Sequence, residues 1–112
     1  MTSSDILSRL AETLASRRVA DTEKSYTAKL FAKGTDTILK KIGEECAELI
    51  IAGKGGKRPE MIHEAADVLY HIMVLLSFNE ISIDKVLGEL ERREGVSGID
   101  EKHARHNSIA AQ

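Results

Sequence analysis

The stretch at residues 59–78 constrains the fold of this chain more than any other. Met61, Ile62, Ala65, Val68, Leu69, Ile72, Met73, Leu75 and Leu76 recur at helical spacing. At about 100° per residue they occupy most of the helix circumference. Pro59 suits the first turn, where its missing N–H costs nothing. The polar remainder is a narrow stripe: Glu60, Glu64, Asp67 and His71 lie within about 60° of one another. A helix apolar nearly all round is buried on more than one side, so at least two of its faces need neighbours. A bare face of that size would exceed the apolar patch that soluble monomers usually carry. A chain of 112 residues makes one small domain with few helices to spare. A two-fold dimer is therefore expected, in which this helix meets its symmetry mate or the mate's preceding long helix.

The remaining segments also read as helices. Ile6, Leu7, Leu10 and Leu14 predict a helix over residues 5–16, with Ser4 as its cap. A shorter helix follows at residues 25–32, stopped by Gly34. Asp36 is expected to cap a long helix whose Ile38, Leu39, Ile42, Cys46, Leu49 and Ile50 form one apolar arc, ending in the flexible Gly53-Lys54-Gly55-Gly56. Ser82 caps a last helix to about Arg93, with Ile83, Val86, Leu87 and Leu90 inward and Gly95 as terminator. No strand alternation, internal repeat or low-complexity tract interrupts the pattern. The expected fold is all-α: one domain over residues 1–95, a bundle of four to five helices completed by homodimerisation, then a polar tail at 96–112.

Bulk properties exclude several function classes. A formal net charge of −2 provides no field for nucleic acid or an anionic membrane. Cys46 is the only cysteine, so neither an internal disulfide nor a cysteine zinc cluster is available, which suits a reducing compartment. The first residues lack the apolar run of a signal peptide. The strongly apolar stretch at 68–76 is broken by His71 and too short to span a bilayer. A cytoplasmic protein is expected.

The placement of carboxylates carries the functional signal. On the long helix after Gly34, Glu45 sits at the edge of the apolar arc, with Glu48 and Glu44 further round the same flank and Lys41 among them. A solvated face with Lys–Glu pairs is the plain alternative. Against it, Lys41 precedes Glu45, the weaker orientation for such a pair, and three adjacent acids repel one another unless a cation sits between them. Glu45 and Glu48 form one i,i+3 pair, and Glu64 and Asp67 form another beyond a glycine-containing connector. If the two helices pack antiparallel, both pairs can point into one space. Four or five oxygen donors suit magnesium, with manganese as a substitute. Zinc is disfavoured, because no thiolate pair or histidine-rich motif accompanies the acids.

Ser25-Tyr26-Thr27-Ala28-Lys29-Leu30, Lys40-Lys41-Ile42-Gly43-Glu44-Glu45-Cys46-Ala47-Glu48 and Glu64-Ala65-Ala66-Asp67-Val68-Leu69-Tyr70-His71 together resemble the phosphoribosyl-ATP pyrophosphohydrolases of histidine biosynthesis. Leu90-Glu91-Arg92-Arg93 and Ser97-Gly98-Ile99 are similar to that family too. Cys46 stands where the family pattern has alanine, and the first twenty residues match only in helical character. The wider superfamily of all-α nucleotide pyrophosphohydrolases, including the MazG proteins, shares the two acidic pairs.

The resemblance implies an obligate homodimer and hydrolysis of phosphoribosyl-ATP between its α- and β-phosphates, giving phosphoribosyl-AMP and pyrophosphate. Glu45, Glu48, Glu64 and Asp67 are the expected metal ligands. An unligated carboxylate can accept the attacking water's proton, and Glu44 and Glu45 are the catalytic candidates, with Glu44 either that base or an outer ligand. The resemblance also singles out Lys29, with Ser25, Tyr26 and Thr27, as substrate contacts. Lys41, rising among the acids, joins them. Lys33, Lys40, Lys54, Lys57 and Arg58 are further cations near the acidic helices, and most such residues are simply solvated. The run at 53–56 can wrap a phosphate or be only a turn. His71 either orients a ligand or is a plain, partly buried histidine. Two rivals remain: a house-cleaning (deoxy)nucleoside triphosphate pyrophosphohydrolase of the same superfamily, and a non-catalytic helical dimerisation module. The cyclohydrolase that often shares a polypeptide with this activity has no room here, so a monofunctional enzyme is expected.

Overall fold

The computed structural model describes residues 5–94, and among them every regular element is helical: α1 (Asp5–Arg17), α2 (Tyr26–Lys33), α3 (Thr35–Gly55), α4 (Arg58–Phe78) and α5 (Ile83–Arg93). The all-α expectation holds. Ser4, Gly95 and the 96–112 tail lie outside the described residues, so neither the cap nor the terminator assigned to them is addressed.

The helix boundaries follow local chemistry. Ser25 has extended backbone angles and its hydroxyl oxygen accepts the Ala28 N–H at 3.1 Å, capping α2. Ser82 does the same for α5, accepting from Asp84 N–H at 3.2 Å. Pro59 sits in the first turn of α4 as anticipated. Asp36, however, does not cap α3. Gly34 holds the junction instead: its N–H bonds the Leu30 carbonyl at 3.0 Å to close α2, and its own carbonyl accepts Ile38 N–H at 3.2 Å to open α3. Its φ of 90° and ψ of −168° belong to a region that is essentially glycine's alone. Asp36 lies within the first turn, where its charge favours the helix dipole. The glycines at 53 and 55 do not stop α3 either; Gly56, at φ 75°, closes it by bonding the Ala52 carbonyl.

The end of α4 uses an unanticipated device. The Ile81 N–H reaches the Leu76 carbonyl at 2.9 Å and the Glu80 N–H reaches the Ser77 carbonyl at 3.0 Å, the paired bonds of a Schellman termination. The left-handed position belongs to Glu80, φ 56°, rather than to a glycine. Its carboxylate meets Arg18 at 3.3 Å and so ties the end of α1 to the end of α4.

Leu14, Leu30, Phe31, Ile38, Met73 and Val74 form the buried core where α1 to α4 meet, and the Phe31 and Phe78 rings stack with centroids 6.3 Å apart. By length and composition alone α4 is apolar enough to cross a membrane. Glu64 and Asp67 stand in its middle, and it packs mainly on α3, with α1 and α2 alongside. Its burial is lopsided. The stripe side carries fully buried His71 and half-buried Glu64 and Asp67, whereas Ile62 and Leu69 on the far side are 67% and 55% exposed. Ile50 and Ile51 of α3 are also bare. Glu60 is exposed, but from Glu64 to His71 the polar stripe faces the protein while an apolar face looks outward.

Glu80→Gly should stabilise the fold. Relieving the left-handed strain is worth about 1 kcal/mol, against an ion pair on a mostly exposed carboxylate worth about 0–1 kcal/mol. A higher melting temperature is expected; a lower one would mean that the Arg18 pair outweighs the backbone term.

Candidate active site

The inward side of α4 organises the polar groups. His71 is only 5% exposed. Its Nδ1 lies 2.8 Å from the Asp67 carbonyl oxygen, which can only accept, so Nδ1 carries the proton and donates. Its Nε2 is 2.9 Å from the Tyr26 hydroxyl, within hydrogen-bond distance. The two rings meet edge to face. Next along the chains, the Thr27 and Tyr70 hydroxyls bond to each other. Four polar side chains thus lock the start of α2 onto α4.

Tyr26 also reaches towards α3. Burial raises its phenol above the ordinary value, while the Lys41 ammonium works in the opposite direction. Lys41 Nζ lies 3.3 Å from Glu44 and 3.6 Å from Glu45. The Glu44 hydrogen bond, then Tyr26, hold its ammonium above the usual lysine range. Lys41 is a hub that joins the α2 phenol to two of the expected catalytic carboxylates.

Glu64 is the least satisfied group of the set. Its Oε2 is shielded from solvent and has no hydrogen-bond partner among the described residues. Asp67, one turn on, faces the exposed His63, whose Nε2 is 3.3 Å from Oδ2. His63, Glu64 and Asp67 bring ligand atoms within 4.8 Å of one another, the one such grouping among the described residues. Glu45 and Glu48 do not join it at that distance. Glu45 is half-buried and turned to Lys41, and Glu48 is exposed. The two acidic pairs thus lie on the two most intimately packed helices, with the α4 pair gathered and the α3 pair partly held by lysine.

A cleft of about 470 Å³ opens beside these groups. Ser25, Tyr26, Thr27, Asp67, Tyr70 and His71 are among its lining residues, and α1 closes it with Arg17. Two expected contacts have structural duties: the Ser25 hydroxyl caps α2 and Thr27 is buried against Tyr70. Lys29 is exposed and outside the lining of this cleft.

The family model described as phosphoribosyl-ATP pyrophosphohydrolase matches residues 7–94. The chain belongs to the phosphoribosyl-ATP pyrophosphohydrolase family. A phosphoribosyl-ATP pyrophosphatase of Dechloromonas aromatica is 65% identical over 105 residues, covering 94% of this chain and 97% of that protein. Those of Pelobacter propionicus and Rhodobacter capsulatus are 50% and 54% identical, covering 89% and 88% of this chain and 93% and 96% of theirs.

In this family member, Arg17, Lys24 and His63 are charged or titratable residues of the cleft and cluster that carry no site signal in the sequence pattern. Arg17 and Lys24 lie in a stretch whose only visible pattern was the helix of α1 and a polar connector. His63 falls just outside the acidic stripe, although its i,i+4 relation to Asp67 is readable.

The Tyr26–His71 bond is testable as a coupled pair. Tyr26→Phe should cost about 1–3 kcal/mol, because it leaves the buried His71 Nε2 unsatisfied, whereas the half-exposed Tyr26 hydroxyl left by His71→Phe can turn to water. The double variant should cost clearly less than the sum, since both changes remove one shared bond. Strict additivity in urea midpoints would show that the bond does not form.

Proposed function

We propose that this chain hydrolyses 1-(5-phosphoribosyl)-ATP to 1-(5-phosphoribosyl)-AMP and pyrophosphate in histidine biosynthesis, in the cytoplasm and with magnesium. Family membership supports the substrate. The observation that carries the chemistry is the unpartnered Glu64 Oε2 beside Asp67 at the inner face of α4. A carboxylate withdrawn from water without a partner is costly, and a divalent cation removes that cost while preferring oxygen donors. Glu64 and Asp67 would hold the ion, with Glu45 and Glu48 joining from α3. Bound there, magnesium supplies Lewis-acid stabilisation of the phosphates and a template for them; manganese can replace it.

The protein's own groups do the rest. Lys41 now pairs with both Glu44 and Glu45. An arriving polyphosphate is a stronger counter-charge and draws the ammonium away, which frees both carboxylates. One of them, Glu44 or Glu45, then takes a proton from the attacking water, and the other is available as a ligand. Tyr26, clamped by His71, holds a hydroxyl and an aromatic face at the cleft mouth. Lys29 and Lys41 meet phosphate oxygens. Water adds across the α–β anhydride, leaving one phosphate on the nucleotide and two as pyrophosphate.

Assembly completes the fold in this reading. Ile50 and Ile51 of α3 and Ile62 and Leu69 of α4 are too many exposed apolar side chains for one small domain to leave bare. A second copy covers them across an isologous interface.

Purified protein should release pyrophosphate from phosphoribosyl-ATP with magnesium and stop when EDTA is added. A wide preference for a deoxynucleoside triphosphate would overturn the pathway assignment but leave the chemistry standing. Glu48→Gln and Asp67→Asn should each remove most turnover while helical circular dichroism and melting persist; near-normal turnover in both would sink the metal site.

Light scattering should give a dimer or a multiple of it at micromolar concentration. Leu69→Lys should abolish assembly and activity together. A folded, active monomer would refute the assembly.

A further inference from the structure

The cleft beside the acidic stripe carries charge that the anhydride chemistry leaves unused. Arg17 ends α1, Lys24 immediately precedes the α2 cap, and both line the cleft with Tyr26, Asp67 and His71. The contrast with Arg18 is informative. Arg18 is committed to Glu80, whereas neither Arg17 nor Lys24 takes part in an ion pair among the described residues. A helix-terminal arginine gains a little from the helix dipole, and a surface lysine is often merely solvated. Neither reason brings the two to one cleft, where like charges repel.

The substrate proposed above has two anionic ends. Its triphosphate requires the metal and the acidic pairs. Its phosphoribosyl arm ends in a phosphate monoester, which those carboxylates repel and which needs cations from elsewhere. Arg17 and Lys24 come from α1 and the connector after it; the carboxylates come from α3 and α4. The guanidinium fork of an arginine suits two oxygens of a terminal phosphate.

We propose that Arg17 and Lys24 form the subsite for the 5′-phosphate of the phosphoribosyl arm, and so distinguish this substrate from triphosphates without that arm. The inference rests on phosphoribosyl-ATP being the substrate. Losing a charged hydrogen-bond partner of this kind costs binding by roughly tenfold or more. Because the arm is remote from the bond that breaks, the loss falls on KM more than on kcat.

The test is steady-state kinetics with product inhibition on Arg17→Gln and Lys24→Gln. Both residues are exposed, so melting should stay near that of the parent, and Arg17→Lys should restore part of the effect. The expected result is a KM for phosphoribosyl-ATP raised roughly tenfold in Arg17→Gln. The inhibition constant of phosphoribosyl-AMP should rise by a similar factor, and that of pyrophosphate should not change. A rise confined to the pyrophosphate constant would place the cations at the triphosphate and overturn the proposal. No change in any constant, with the parent enzyme fully active, would overturn it also. A parent protein that releases no pyrophosphate from phosphoribosyl-ATP would instead overturn the substrate assignment.

Discussion

The arrangement depends on a carboxylate oxygen that the fold withdraws from water and leaves without a partner. Glu64 Oε2 lies inside α4's polar stripe, next to Asp67 and one further turn from buried His71. Folding positions that stripe inward because Val74, two turns beyond Asp67 on the same side of α4, packs with Leu14, Phe31 and Ile38. With that contact made, Glu64, Asp67 and His71 fall on the more buried side of α4. An ordinary domain would put such a stripe in solvent. Here stability is given up where charge is concentrated, a trade common at functional sites.

The same rotation of α4 explains the neighbouring geometry. Turning the stripe inward brings His71 against Tyr26, which anchors the start of α2 and fixes one wall of the cleft. It accompanies the packing of α4 on α3, where Lys41 already links Glu44, Glu45 and Tyr26. It also leaves Ile62 and Leu69 outward. The polar seam and the bare apolar face are therefore two consequences of one choice of helix orientation.

Much of this was legible in the residues. Ser82 is a good cap with a fitting helix behind it, and Pro59 marks a first turn; local rules suffice there because the interactions span two or three residues, although Ser25 reads as the start of a helix rather than as its cap. The stripe on α4 was visible as well, since periodicity places Glu64, Asp67 and His71 on one side. Its direction was not, because periodicity gives the width of a face and not what lies opposite it. Long-range pairings such as Tyr26 with His71, Thr27 with Tyr70 and Arg18 with Glu80 were equally hidden. Asp36 was assigned a capping role that Gly34 holds, because a glycine that closes one helix and opens the next has no signature distinguishing it from a simple stop. Glu80 in a left-handed position runs against composition altogether; the Schellman bonds, not the residue type, impose it.

The central claim is that Glu64 belongs to a cation site spanning α3 and α4. Thermal unfolding with and without magnesium, in the parent protein and in Glu64→Gln, tests it without relying on turnover. An ion that binds only the folded state raises the melting temperature. The account predicts a magnesium-dependent rise in the parent and little or none in Glu64→Gln, whose metal-free form melts no lower than the parent because the uncompensated charge is gone. Equal magnesium-induced shifts in the two proteins, or no shift in the parent at saturating magnesium, would contradict it.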